Sequence, residues 1–411
     1  MCETQRPKIT PHWKSLDKKR RDSLMPAADH CGLYLHIPFC ASRCAYCAFV
    51  TFPFEPTKTA QYVEALGTEA VLWSSPRNQS GITARGLSFD SIYLGGGTPS
   101  VLSVTQIEQL LAMCVKSFSI VAGPEITIEA NPDSCTREWL IDARNLGVNR
   151  VSLGVQSFND AELRALGRSH DAAAALRAYR DIRDAGFDNV SIDLIAGFPG
   201  HGLPSFEQSL RSVARLAPEH VSVYLFELKE GSTIHHRVMS GELSRPDDDL
   251  AADLYELCCA FLTSEGYIQY EISNFSKEGF ECRHNLKYWM DMDYVGLGAG
   301  AHGLIGEWRY ANTSQLDLYL ECISQGELPR GAVTRMTRFD RFRDALIMCA
   351  RRVRGVDLGL LGRKYGVDAA GFVRKTLAGL DGQDLFELTN NIFRFTQKGR
   401  LLSNQVFNRW V

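Results

Sequence analysis

From residue 31 onward, short runs of aliphatic and β-branched residues alternate with amphipathic stretches. The runs are LYLHI (33–37), SIYLGG (91–96), EITIEA (125–130), RVSLGV (150–155), NVSIDLI (189–195) and HVSVYLF (220–226). Between them apolar residues recur at helical spacing, as in SVTQIEQLLAMCVKSF (103–118) and AAAALRAYRDIRDAG (172–186). The second of these ends on Gly186, a residue suited to stopping a helix. Six strands, each followed by a helix, predict βαβ units in a parallel sheet. Crossovers of one hand curl such a sheet, and six units fall short of the eight that close a barrel. The expected fold is therefore α/β, a partial (β/α)6 barrel of the TIM type over residues 31–235.

In such a barrel the chemistry belongs at the C-terminal ends of the strands. There the chain reads HIPFC, GGGTPS, EANPDS, GVQSFND and DLIAGFPG. Turn chemistry explains the glycines and prolines of any one loop. It explains less well why Glu129, Gln156 and Asp193 recur near strand ends, where one pocket could collect them.

After about residue 236 the pattern changes. The stretch YEISNFSKEGFECRHNLKYWMDMDYVGLGAGAHG (270–303) is aromatic, glycine-rich and irregular. It is expected to pack against the barrel mouth, within a capping region over 236–332. Its GLGAGA from Gly296 superficially fits a dinucleotide fingerprint. No β-rich run leads into it and no helix pattern follows, so it reads as a structural loop. From about residue 333 the chain is helical and basic (RFRDALIMCARRVRG). It closes with two short strands around TNN and a helix. That predicts a small helical, winged-helix-like domain over 333–411.

Composition narrows the field. The 411 residues are 45% hydrophobic and 23% charged, with a formal net charge of −3. Such a balance gives no general pull towards nucleic acid or membrane. No apolar run approaches the roughly 18–20 residues of a transmembrane helix. The N-terminus lacks the apolar segment of a secretion signal. Its basic cluster Lys18, Lys19, Arg20 and Arg21 reads as part of a flexible extension over 1–30, or as a docking or targeting tail. Twelve cysteines without a signal peptide argue for a reducing compartment, expected to be the cytoplasm. Nine of them are scattered, as small core hydrophobes are.

The other three, Cys40, Cys44 and Cys47, share one loop at C-x3-C-x2-C spacing. Structural zinc takes four protein ligands, so three leave a position empty. Three thiolates on a four-iron cluster would leave one iron open to a small molecule. Position 49, where a fourth cysteine could follow, is Phe49, and Cys31 lies across the first strand. A zinc site borrowing His36 is the alternative.

With Tyr46 as its aromatic residue, C-x3-C-x-aromatic-C resembles the signature of the radical S-adenosylmethionine (SAM) superfamily. The resemblance implies a radical SAM barrel with a [4Fe–4S] cluster on Cys40, Cys44 and Cys47. SAM would chelate the open iron and be cleaved to a 5′-deoxyadenosyl radical. The implied SAM contacts are Tyr34, Tyr46, Gly96, Gly97, Thr98, Glu129, Gln156, Arg168 and Asp193. Backbone N–H groups of Gly95 to Thr98 would take the SAM carboxylate. Glu129 would accept from the ammonium or sit beside the reacting centre, as the candidate catalytic residue.

YLHIPFC, YLGGGTPS, EANPDS, RVSLGVQSF, LGRSH and DLIAGFPG together resemble the oxygen-independent coproporphyrinogen III oxidase group, over roughly residues 31–411. That group holds true oxidases, which turn two propionates into vinyls, and a HemW branch of haem chaperones. Phe49 in place of a fourth cysteine, HNLKYW (284–289) and the closing LTNNIFRFTQKGRLLSN resemble the HemW branch. The E-P pair that often follows the sixth strand there is absent, and Lys229 and Glu230 stand instead. Membership implies haem as a third cofactor. Its partners would be a haem-acceptor protein and a reductase or flavodoxin-like electron donor. His284 would ligate iron, Tyr288 and Trp289 would stack on the macrocycle, and Lys287 or Arg283 would meet a propionate. A lone histidine among aromatics is equally a satisfied structural residue. The enzymatic alternative is a coproporphyrinogen III dehydrogenase.

Overall fold

A computed structural model of the chain describes residues 30–75, 82–380 and 382–411. The basic extension, Lys18 to Arg21 included, lies outside the described residues.

Six parallel strands stand side by side in chain order: Cys31–Ile37, Ser88–Gly96, Ser119–Ala130, Arg150–Gln156, Val190–Ala196 and His220–Leu225. Each is followed by helix, the last by Thr233–Met239 and then Asp248–Ser264, so the β/α rhythm runs past the change of pattern near residue 236. Local chemistry accounts for the helix ends. Ser103 and Gln106 form a reciprocal capping box at Val104–Ser117, and Asp171 accepts from Ala174 N–H at the start of Ala172–Asp184.

Alternation sets the two faces of the sheet. Leu33, Leu35, Ile37, Ile92, Leu94, Ile126, Ile128, Val151 and Leu153 are fully buried in the main core, with the surrounding helices. The intervening positions, Tyr34, Tyr93, Thr127 and Arg150, lie side by side in register across four strands. Ser152, Ser191, Asp193 and Ser222 continue this polar face. The barrel lumen is thus polar and in part hollow: Tyr224 is 45% exposed although its strand lies inside the sheet.

The region after the barrel differs from its expected irregular cap. Beyond the sixth strand the sheet continues with Asn274–Ser276, antiparallel to it, and then Ile268–Gln269, antiparallel to Asn274–Ser276. Tyr294–Leu297 pairs parallel with the first strand, followed by three antiparallel strands, His302–Ile305, Trp308–Asn312 and Arg330–Arg335. A strand therefore does lead into GLGAGA, contrary to the sequence expectation. No helix follows it, and its amides are used structurally: Gly298 N–H donates to Glu69 at 2.8 Å and Ala299 N–H to Tyr62 Oη at 2.8 Å. Gly298 has φ +103°, and a Cβ there would meet Tyr62 Oη at 2.3 Å. Glu69, fully buried, also accepts from Asn312 and Tyr319, so one carboxylate joins the first helix to the sheet extension.

Helix Arg283–Trp289 closes the N-terminal end of the barrel rather than its mouth. Its first amides, Arg283 and His284 N–H, donate to Glu125 at 3.1 and 3.0 Å. Lys287 pairs with Asp90 at 2.6 Å and donates to His30 O at 2.8 Å.

A second core gathers Phe342, Leu346, Phe393, Phe395 and Trp410. Around it pack helices Arg338–Ala350, Leu358–Tyr365 and Ala369–Thr376 and a three-stranded sheet, Val356–Asp357, Ile392–Phe395 and Phe386–Thr389. Asn390 and Asn391 have φ +52° and +63°, the left-handed pair that a two-residue hairpin turn requires. Buried Asp291 ties this domain to the barrel through Arg341 at 2.8 Å, Lys364 at 2.7 Å and the Tyr365 hydroxyl. Among the described residues, no helix is long and apolar enough to cross a membrane.

Candidate cluster and cofactor site

The three-cysteine loop is held at several points along its length. Phe39–Cys40 pairs with Phe52–Pro53, which closes the loop at its base. Ala45 N–H donates to Leu166 O at 3.0 Å, and Ala45 O accepts from Ile234 N–H at 2.9 Å. Gly167 (φ +70°) makes the approach possible, since a Cβ there would stand 2.8 Å from Ala45 N. Inside the barrel His36 bonds Val50 O at 3.0 Å and the Tyr34 hydroxyl at 2.9 Å. Both His36 nitrogens are engaged, which removes the fourth ligand of the zinc alternative.

Cys40, Cys44 and Cys47 border one cavity of about 350 Å³ at the barrel mouth. Two donors are aimed at the sulfurs: Thr98 Oγ1 at 3.3 Å from Cys40 and Arg168 Nη1 at 3.3 Å from Cys44. Burial raises the thiols of Cys40 and Cys47. A bound cation reverses that preference by stabilising the thiolate. Phe49, 66% exposed, sits on the rim.

Of the residues named for SAM, Tyr46, Gly96, Gly97, Thr98, Glu129, Gln156, Arg168 and Asp193 line this same cavity. Tyr34 does not; it lies deeper, bonded to His36. The glycine loop does something other than expected. Gly96 N–H donates to Glu129 at 2.9 Å, Gly97 N–H to Ile37 O at 2.9 Å and Thr98 N–H to Phe39 O at 2.9 Å. These donors are spent and not free for a carboxylate. The glycines make room for the protein itself: a Cβ on Gly96 (φ +116°) would come within 2.4 Å of the His36 ring.

Glu129 also accepts from Tyr93 Oη at 2.8 Å, and burial raises its carboxyl to about 7. Gln156 has φ +68°, unusual for a residue with a side chain, at a register shift between Gly154 and Gln156. The bulge ends the strand and re-aims the amide. Arg168 is anchored by Asn131 Oδ1 at 2.8 Å and Gly154 O at 2.7 Å. Asp193 accepts from Ser152 at 2.9 Å and Ser191 at 3.0 Å, and burial raises its carboxyl. Asn131, Ser152 and Tyr224 line the cavity without having been singled out in the sequence. Their signal was the polar alternation within EANPDS, RVSLGV and HVSVYLF.

The residues named for haem stand apart. His284 is 1% exposed, with Nδ1 bonded to Ser91 Oγ at 3.0 Å and Nε2 to Tyr288 Oη at 2.9 Å. Burial lowers its pKa to about 3. Ligating iron would require breaking the bond at whichever nitrogen took the metal and opening the barrel floor. Tyr288 packs edge-on against Tyr294, and Arg351 lies over the Trp289 ring. Lys287 is committed to Asp90, so it is not free for a propionate as expected.

The chain matches the family model of the radical SAM superfamily over residues 34–213. The radical SAM coproporphyrinogen III oxidase HemN of Escherichia coli superposes with a TM-score of 0.80. It is 27% identical, and the match covers 93% of this chain and 90% of that one. Fold and site thus define a radical SAM protein on a partial (β/α)6 barrel. The heme chaperone HemW of Bacillus subtilis is 32% identical over 92% of this chain and 98% of its own length. The Mycobacterium tuberculosis protein of that name is 33% identical over 91% and 93%. The mitochondrial radical S-adenosyl methionine domain-containing protein 1 of Bos taurus is 35% identical over 68% and 61%. The chain belongs to the HemW family.

Proposed function

We propose that this chain binds haem and passes it to an acceptor protein, using a [4Fe–4S] cluster on Cys40, Cys44 and Cys47 with SAM on the open iron. The observation that supports this most is the nearly end-to-end likeness to haem chaperones, C-terminal domain included. The site's donor set fits the cofactors. Three thiols share one wall with two donors aimed at sulfur. In the same cavity Glu129, Gln156 and Asp193 offer the carboxylate and amide groups that an ammonium and a ribose require. When bound, the cluster supplies an electron to SAM. The chain orients the ligands: Arg168 joins the Cys44 sulfur to Asn131, and Glu129, held by Gly96 and Tyr93, presents a carboxylate with lone pairs to spare.

The reading includes a reductase or flavodoxin-like electron donor and a location in the cytoplasm, supported by the free cysteines. Fractionation against the mitochondrial alternative, raised by the Bos taurus relative, tests the location.

A second reading, a coproporphyrinogen III dehydrogenase, is favoured by the likeness to HemN and by the hollow polar lumen. Anaerobic incubation of the cluster-loaded protein with SAM, reductant and coproporphyrinogen III separates the two. Stoichiometric protoporphyrinogen and 5′-deoxyadenosine would overturn the chaperone reading. Absence of porphyrin product, together with haem binding and transfer to an apo-acceptor, is the expected result.

A further inference from the structure

Asp193 reaches the cofactor cavity from the fifth strand, and behind it a chain of hydrogen bonds runs through the protein interior. Ser191 Oγ lies 3.0 Å from Asp193 Oδ1, and His220 Nδ1 lies 2.8 Å from Ser191 Oγ. His220 Nε2 is in turn 2.8 Å from the Tyr270 hydroxyl. Register brings these groups together. Ser191 and His220 are partners across the fifth and sixth strands, and Asp193 follows Ser191 by two positions, on the same face. Ser191, His220 and Tyr270 are all buried. The far end of the chain is fixed by the C-terminal domain, since Tyr270 O accepts from Val353 N–H at 3.1 Å.

The chain has one direction. A carboxylate only accepts, so the Ser191 hydroxyl gives its proton to Asp193. Ser191 Oγ then receives from His220, which puts the ring proton on Nδ1 and leaves Nε2 to accept from the Tyr270 hydroxyl. Burial, with the nearby Arg150 guanidinium, holds the imidazole well below its ordinary range, so the ring is neutral and carries a single proton. We propose that Tyr270 and His220 are positioning residues of the SAM site, holding the Ser191 hydroxyl on Asp193 and so fixing that carboxylate for the ribose hydroxyls of SAM. The inference rests on the SAM-binding reading above and assigns the groups that prepare one of its contacts. Without the Tyr270 hydroxyl the other tautomer becomes available. Its bare Nδ1 draws the Ser191 proton away, and Asp193 loses one of its donors.

The test is titration of the cluster-loaded full chain with SAM and with its 2′-deoxy and 3′-deoxy analogues. Tyr270→Phe and Ser191→Ala are each expected to weaken SAM binding about three- to tenfold, the worth of one hydrogen bond. A smaller loss is expected with at least one analogue, because the hydroxyl that Asp193 holds is missing from it. In an Asp193→Ala background neither substitution is expected to weaken SAM further. Unaltered circular dichroism and iron content show that the variants fold. Wild-type SAM affinity in either variant would overturn the relay while leaving the cofactor reading standing. So would an equal loss for SAM and both analogues, or a further loss in the Asp193→Ala background. Failure of the wild-type chain to bind SAM would overturn both.

Discussion

The two ends of the barrel use the same residue types for opposite purposes. At the mouth, Cys40, Cys44, Glu129, Gln156 and Asp193 border a cavity and keep bonding capacity facing it. At the floor, Cys282, His284, Lys287, Glu125 and Asp90 are 7% exposed or less and bonded to one another or to backbone. The floor is closed by one short helix whose first amides, His284 ring and Lys287 ammonium are spent on Glu125, Ser91, Tyr288 and Asp90. The mouth comes from six separate strand ends, whose side chains meet only across a space. Residue identity therefore says little about ligand binding at either end; what matters is whether a side chain's last valence is already taken.

The sharpest break between the ends comes from Cys44→Ala. Loss of nearly all bound iron and sulfide is expected, with the fold intact by circular dichroism; full retention would remove the mouth as a cluster site. At the floor, Lys287→Met leaves Asp90 buried and alone, which costs about 3–5 kcal/mol of stability. Denaturant unfolding reads this, and a change below 1 kcal/mol would show the floor to be looser than its bonds imply. His284→Gln is expected to lose about 1–3 kcal/mol through its bonds to Ser91 and Tyr288, with cluster content and SAM affinity unchanged.

Arg168→Ala adds a ligand effect to that pattern. Losing its bonds to Asn131 and Gly154 O costs stability on the same scale of about 1–3 kcal/mol, and SAM affinity weakens as well by about 1.5–3 kcal/mol, the value of a hydrogen bond to a charged group. Isothermal titration with SAM checks it. The smallest effect is one of pH. Glu129 is raised by burial from 4.5 to about 7, so its protonated form favours the fold. That stabilisation is complete below about pH 4.5 and disappears as pH rises through 7. Relative to Glu129→Gln, the cluster-free wild-type protein should lose about 2–4 °C in melting temperature between pH 5 and 8. A parallel pair of curves would contradict the burial of this carboxyl.

Much of this molecule was legible before any coordinates. The alternation in LYLHI, SIYLGG and EITIEA located strands to within a few residues, because a period of two is a local property. The loop C-x3-C-x2-C and the polar residues at strand ends pointed to one mouth, because the parallel β/α rhythm leaves them no other end to occupy. The same alternation also encoded the polar lumen, through Tyr34, Tyr93, Thr127 and Arg150, although only register makes four residues from four strands into one layer.

What the sequence alone determined, then, was the barrel, its open form and the gathering of three cysteines in one loop, all of which follow from spacing along the chain. Tertiary structure decided which groups remain free. It turned the amides of Gly96 to Thr98 inward, used GLGAGA as a joint to Glu69 and sealed His284 between Ser91 and Tyr288. The physical reason is that a hydrogen-bonding group can be spent on any neighbour within about 3 Å. Those neighbours come from parts of the chain as far as 257 positions away, as Lys287 is from His30 O.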